Sequence, residues 1–205
     1  MKILGYGEDA LTLWAIKNKL STILNLLNDS SSPSNCKIFF RPSFGRSGGA
    51  ESSQFGEFDF ILLSEKQLYL GESKWSRSSE KIAGGILDLR KEQVLRHTIF
   101  KFYVQEWAFG NYSSWHDFEE LAVAKLQNQR INKPIAPSGS LLVINLKTVL
   151  EIIQQHFKIL PPIRNVLLFL HSGSPDNLLP KSAGTDFEVV CVDYSDGVIE
   201  NFVEL

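Results

Sequence analysis

Between Phe55 and Trp75 the chain runs through two strand-length stretches that are apolar on both faces yet carry four charges at one end. Phe55-Gly56-Glu57-Phe58-Asp59-Phe60-Ile61-Leu62-Leu63 is followed by the turn Ser64-Glu65-Lys66-Gln67 and then by Leu68-Tyr69-Leu70-Gly71-Glu72-Ser73-Lys74-Trp75. Strands without a polar face sit inside a sheet that is covered on both sides. Charge in such a place is costly unless it is paired or bound to a metal. A symmetric four-residue turn sets residue i opposite residue 131 − i, which pairs Asp59 with Glu72 and Glu57 with Lys74. Residues two apart on a strand share a face, so all four charges project to one side. Opposed carboxylates repel across strands, and a divalent cation is the economical way to neutralise them. Magnesium suits, because it accepts one or two carboxylates, keeps several waters and leaves positions for phosphate oxygens. Lys74, a compact point charge, can orient an attacking water or hold a phosphate oxygen.

The rest of the chain supplies elements to cover such a hairpin. Residues 8–28 repeat Leu11, Trp14, Ala15, Leu20, Ile23, Leu24 and Leu27 at helical spacing. A strand is expected at 36–42, then a polar, glycine-rich loop at 43–54. After the hairpin a long helix is expected from about 86 to 108, with Gly84-Gly85 before it and Gly110-Asn111 after it. A shorter helix follows at 115–127, with Ser114 as N-cap and Asp117 three residues on. Next come a strand at 140–146, a helix at 147–157 and a strand at 165–171. A last strand at 187–193 forms a hairpin with 198–203 across Ser195-Asp196-Gly197. Helices alternating with strands in this order give an α/β fold, a mixed central β-sheet flanked by helices. The 205 residues fit one domain, with a core over about 5–146 and a C-terminal α/β extension over about 147–205.

Composition excludes several classes. Hydrophobic residues make up 43% and charged residues 21%, as in ordinary globular proteins. No apolar run approaches the roughly 20 residues that cross a bilayer. Two acids arrive by position 9, too soon for a signal peptide; the expected location is cytoplasmic, with no membrane partner. Cys36 and Cys191 lack CxxC partners, and His97, His116, His156 and His171 show no zinc-binding spacing. The net charge is −2, but from Lys74 to Lys101 there are seven basic and three acidic residues, a local excess of four positive charges. Arg90, Gln93, His97 and Lys101 recur at helical spacing within that stretch. They read as a solvent-facing stripe able to meet phosphates.

The sequence Gly56-Glu57-x-Asp59, a hydrophobic strand, a turn, a second hydrophobic strand and Glu72-Ser73-Lys74 resembles the PD-(D/E)XK nuclease superfamily, which includes restriction endonucleases and Holliday-junction resolvases. Phe58 stands where the family name has proline. The resemblance covers about residues 5 to 110 and implies a restriction-endonuclease-like core of order αβββαβ. It implies a hydrolase, an endonuclease cutting DNA phosphodiester bonds with Mg2+, for which Mn2+ would substitute. Asp59 and Glu72 would be metal ligands together with the backbone carbonyl of Ser73. Lys74 would be catalytic, and Glu8 on the first helix an auxiliary acid and further ligand. Glu57 and Gln93 are additional candidates, and Arg46, Arg90, His97 and Lys101 are candidates for holding DNA. Cutting two strands with one site per chain commonly calls for a homodimer or a larger restriction or repair assembly. The alternative is a catalytically inactive nucleic-acid-binding module of the same fold.

Overall fold

The computed structural model describes residues 1–45, 51–77, 82–128, 133–174, 178–184, 186–199 and 202–205. Its elements in chain order begin with β1 (Leu4–Gly5), α1 (Glu8–Leu26), β2 (Lys37–Phe40), β3 (Ser43–Phe44), β4 (Gly56–Glu57), β5 (Phe60–Leu63) and β6 (Leu68–Trp75). Then follow β7 (Ile82–Ala83), β8 (Ile86–Leu87), α2 (Lys91–Tyr103), α3 (Trp115–Asn128) and α4 (Leu141–Phe157). The chain closes with β9 (Ile163–His171), β10 (Phe187–Asp193), β11 (Val198–Ile199) and β12 (Phe202–Glu204). These elements divide into two compact units. The first is Met1–Arg41, Phe58–Leu89 and Ile163–Leu205, and the second is Pro42–Glu57 and Arg90–Pro162.

The first unit is built on a five-stranded mixed sheet of order β10-β9-β6-β5-β2. β6 lies in the middle, antiparallel to β5 and parallel to β9, and the β5–β6 register pairs Phe60 with Gly71, Ile61 with Leu70, Leu62 with Tyr69 and Leu63 with Leu68. This is the register that the symmetric turn predicts. Every residue of β5 is buried, as is every residue of β6 before Trp75, as two-sided apolarity requires. On one face α1 lays Leu11, Trp14, Ala15, Ile23 and Leu24 over Phe60, Leu62, Tyr69, Val166, Leu168 and Val190. On the other, Leu87, Ala183 and Phe187 cover Leu167 and Phe169.

Two local devices pin the hairpin. Gly71 faces Phe60, whose ring lies across it so closely that a Cβ at Gly71 would stand 2.2 Å from the ring. At the turn, the buried Asp29 carboxylate accepts from the Ser31 backbone and hydroxyl, the Ser64 hydroxyl and the Tyr69 hydroxyl at 2.6–2.9 Å. Burial pushes the Asp29 carboxyl up, but these hydrogen bonds outweigh it and hold the group down at about 2.

The second unit packs aromatic side chains. β3 pairs with β4, Phe44 lies against Phe55 and Phe100, and Tyr103 stacks on Trp115. α2 runs on into a π-helical turn at Val104–Ala108. The Ser114 hydroxyl caps α3 by accepting from the Asp117 N–H, as expected.

Several expectations need correction. Residues 140–146 are not a strand but the cap and first turns of α4; the Ser140 hydroxyl accepts from the Val143 N–H. Their apolar run suggested a strand, yet Val143, Leu146, Leu150 and Ile153 are buried while Leu141 and Ile144 are exposed, which is helical periodicity. Gly84-Gly85 do not open a helix. Both have positive φ, 59° and 81°, the conformation of a two-residue hairpin turn, and they join β7 to β8; α2 starts only at Lys91. The expected strand 55–63 is broken at Phe58–Asp59, so Gly56–Glu57 pair with β3 while Phe60–Leu63 pair with β6. β10 is parallel to β9 and makes no hairpin with 198–203; β11 and β12 pair with each other, and β12 pairs with β1. The segment expected as an extension, 147–205, thus supplies β9 and β10 to the main sheet.

The Phe60–Gly71 contact makes a prediction. Gly71→Ala should destabilise the chain by about 1–3 kcal/mol through overpacking. Combined with Phe60→Leu the added cost should largely vanish, which a double-mutant cycle on urea midpoints would measure. Additive effects would mean that the ring does not lie over the glycine.

Candidate functional site

β5 begins at Phe60, opposite Gly71, while β6 continues to Trp75. The last turns of β6 therefore lack a β5 neighbour, and the backbone N–H groups on that edge need other acceptors. Two carboxylates provide them. Asp59, the residue just before β5, accepts from the Ser73 N–H at 2.6 Å. Glu8, the first residue of α1, accepts from the Trp75 N–H at 3.2 Å. Its other oxygen takes the Lys74 ammonium at 3.3 Å. A strand residue directs N–H and C=O to the same edge, so the Ser73 carbonyl lies on the Asp59 side as well.

Glu72 and Lys74 alternate with Ser73 and are 1% and 5% exposed. Asp59 and Glu8 are half-buried. Desolvation and then the charge of Glu72 push the Asp59 carboxyl up from its ordinary value to about 7; the Ser73 hydrogen bond and Lys74 pull the other way, and Glu8 adds to the push. When ionised, Glu72 and Glu8 repel the Asp59 charge and the Lys74 ammonium attracts it, so a proton or a cation bound at Asp59 would relieve the repulsion.

The structure brings Glu8, Asp59, Glu72, Ser73 and Lys74 together; the hairpin spacing pointed to Asp59, Glu72 and Lys74, and the resemblance to Glu8 and Ser73. Both Glu8 oxygens are engaged by Lys74 and Trp75, so as placed Glu8 orients the lysine, and Asp59 and Glu72 form the carboxylate pair. Among the described residues no group of three or more His, Cys, Asp or Glu is arranged to hold a metal ion. The other candidates lie elsewhere. Glu57 is not part of the β5–β6 register; the break at Phe58–Asp59 places it in the second unit, paired with Ser43. Gln93 and His97 are 3% and 1% exposed, so the stripe they make with Arg90 and Lys101 is not a solvated face. The Gln93 side chain accepts from the Arg90 N–H at 3.1 Å and caps α2. Arg90 is exposed and Lys101 half-buried, and Arg46 lies outside the described residues.

One neighbour escaped the sequence reading. Arg41 follows β2 with a φ of 51°, unusual for a side-chain-bearing residue. Its N–H donates to the Asp59 carbonyl at 3.1 Å, and its exposed guanidinium pairs with Asp9, next to Glu8. Nothing in the local pattern marks it, because its place depends on β2 lying beside β5.

No protein-family model, curated protein or solved structure matches the chain.

Asp59 sets a pH dependence. Its carboxyl binds a proton more tightly folded than unfolded, so the folded state gains from acid and loses that gain as pH rises. Between about pH 4 and 7, the window from its ordinary value to its folded one, stability should fall as pH increases. Asp59→Asn should flatten this slope. Chemical denaturation at a series of pH values would check it, and an Asp59→Asn profile parallel to the wild type would assign the slope to other groups.

Proposed function

We propose that the chain is a metal-dependent nuclease, with Asp59 and Glu72 as the metal-binding carboxylates and Lys74 as the catalytic lysine. The observation that carries this reading is the convergence of two mutually repelling carboxylates beside a buried lysine at the end of β6, with the Asp59 carboxyl driven up by burial and then by Glu72. The donor set is oxygen only and anionic, which suits magnesium; two carboxylates plus water and substrate oxygens are enough for that ion. Bound there, the ion would supply Lewis acidity toward a water and the scissile phosphate.

The remaining roles belong to the chain. The Ser73 N–H fixes one Asp59 oxygen and so orients the carboxylate. Glu8 holds the Lys74 ammonium in place. Lys74, nearly dry, then presents a fixed positive charge where negative charge develops on phosphate, and low solvent access strengthens that interaction. DNA is the proposed substrate and the alternating acids and lysine the proposed machinery.

Plasmid, single-stranded and branched DNA incubated with magnesium or manganese should be cleaved. Asp59→Ala and Glu72→Ala should each lower the rate at least about a hundredfold and weaken magnesium binding in calorimetry. Lys74→Ala should lose cleavage while keeping magnesium. Glu8→Gln keeps an acceptor for the Trp75 N–H but not the charge facing Lys74, so it should lose most activity with little loss of stability. Unchanged magnesium affinity in both acid variants would refute the assignment.

A further inference from the structure

Beside the carboxylate cluster lies a group of aromatic rings that the proposed chemistry does not use; Trp75 packs partly on the core, while Tyr6 and Phe202 stand exposed. The Tyr6 and Trp75 rings meet edge to face with centroids 5.9 Å apart, and the Phe202 ring lies tilted 5.7 Å from Tyr6. Tyr6 is 59% exposed and Phe202 42%, and Trp75 is half-buried. Leaving such rings in water forgoes the burial that normally keeps them inside. The rings are tied to the site by the backbone. Trp75 follows Lys74 directly, and its N–H is bound by Glu8. Tyr6 stands two residues before Glu8. Between them Gly7 adopts φ 88° and ψ −177°, a region essentially closed to other residues. That one turn lets a three-residue segment grip Trp75 twice, ring against ring through Tyr6 and carboxylate against N–H through Glu8.

We infer that Tyr6, Trp75 and Phe202 form a stacking platform for unpaired nucleobases, so that the site acts on single-stranded or locally unpaired nucleic acid. The inference rests on the nuclease reading and adds a substrate class to it. Aromatic faces stack any base without reading its sequence, whereas a paired base offers no free face. A strand whose phosphate approaches Lys74 comes near the rings by way of Glu8: one Glu8 oxygen holds the Lys74 ammonium, the other holds the Trp75 N–H, and Tyr6 stands two residues before it. The acid on the same small sheet, Glu204, is engaged by Lys2, which tempers its repulsion of a nucleic-acid strand. An apolar partner surface could also cover Leu4, Tyr6, Ile199 and Phe202, but it would have no reason to be addressed to a buried lysine. The continuity with Glu8 and Lys74 favours the nucleotide.

The test measures binding of the full chain to a labelled 20-nucleotide oligothymidylate and to a blunt duplex of similar length, in EDTA so that cleavage does not intervene, with sedimentation of the same samples. Wild type should prefer the single strand. Tyr6→Ala and Phe202→Ala should each weaken single-strand binding by about five- to a hundredfold and leave duplex binding unchanged, while Tyr6→Trp retains it. Both alanine changes fall on exposed side chains, and circular dichroism checks that the variants fold. Unchanged single-strand affinity in variants of a chain that still cleaves DNA would overturn the platform and leave the nuclease reading standing. A wild-type dimer that these substitutions dissociate would overturn it in favour of a self-association face. A wild-type chain that neither binds nor cleaves any nucleic acid would remove both readings together.

Discussion

β6 outruns β5, and most of what distinguishes this molecule follows from that mismatch. Where a strand loses its neighbour inside a protein, the exposed N–H groups must find acceptors or pay a desolvation cost of about 1–3 kcal/mol each. Here the acceptors are the carboxylates of Asp59 and Glu8. Each comes from the start of another element, Asp59 from the residue leading into β5 and Glu8 from the first turn of α1. A single stretch of backbone thereby gathers acids from distant parts of the sequence, and Glu72 and Lys74, carried on the same strand, complete the cluster.

The two ends of the hairpin show how differently the same side-chain chemistry behaves. At the turn, the Asp29 carboxylate is surrounded by donors and its pKa is held down at about 2. At the open end, Asp59 has the Ser73 N–H and Lys74 on its side, but burial and the charge of Glu72 outweigh them and its pKa rises to about 7. The first arrangement is satisfied and serves to lock Ser31, Ser64 and Tyr69 together. In the second, burial and neighbouring carboxylates favour the protonated form of Asp59. Groups left in that condition on an otherwise well-packed sheet are where ligand binding is best sought. Between the two ends Gly71 and Phe60 hold the register. A residue with a Cβ at 71 would displace the Phe60 ring and disturb the strand that carries Glu72, Ser73 and Lys74.

The hairpin register was legible because period-two patterning and a four-residue turn leave one register that keeps Ile61, Leu63, Leu68 and Leu70 on a common face; the ladder stops at Phe60, so Asp59 reaches the end of β6 through its side chain. Glu8 was singled out by the family resemblance, as an acid on the first helix; periodicity alone gave only the helix. The expectations that failed did so for identifiable reasons. Residues 141–146 are continuous enough in apolarity to suit either a strand or a helix, and only the alternation of burial along α4 separates the two. Gly84-Gly85 can precede a helix or make a hairpin turn, and positive φ at both selects the turn. Gln93 and His97 lie on a polar stripe of α2, and spacing alone does not say whether such a stripe is solvated or buried. Arg41 had no signal at all, since what brings its N–H to the Asp59 carbonyl is the lateral pairing of β2 with β5.

By itself the sequence determined the α/β character of the chain, the hairpin register and the gathering of Asp59, Glu72 and Lys74 at one end of it, because alternation and turn length are local properties. Only tertiary structure decided that β5 stops at Phe60, that Glu57 leaves the hairpin to face Ser43, and that β9 and β10 join the main sheet. Those outcomes depend on which strands lie side by side, and lateral pairing is settled by the packing of segments far apart in the chain. The same is true of the meeting of Tyr6, Trp75 and Phe202, three rings spread across almost the whole sequence and drawn together by β1, β6 and β12.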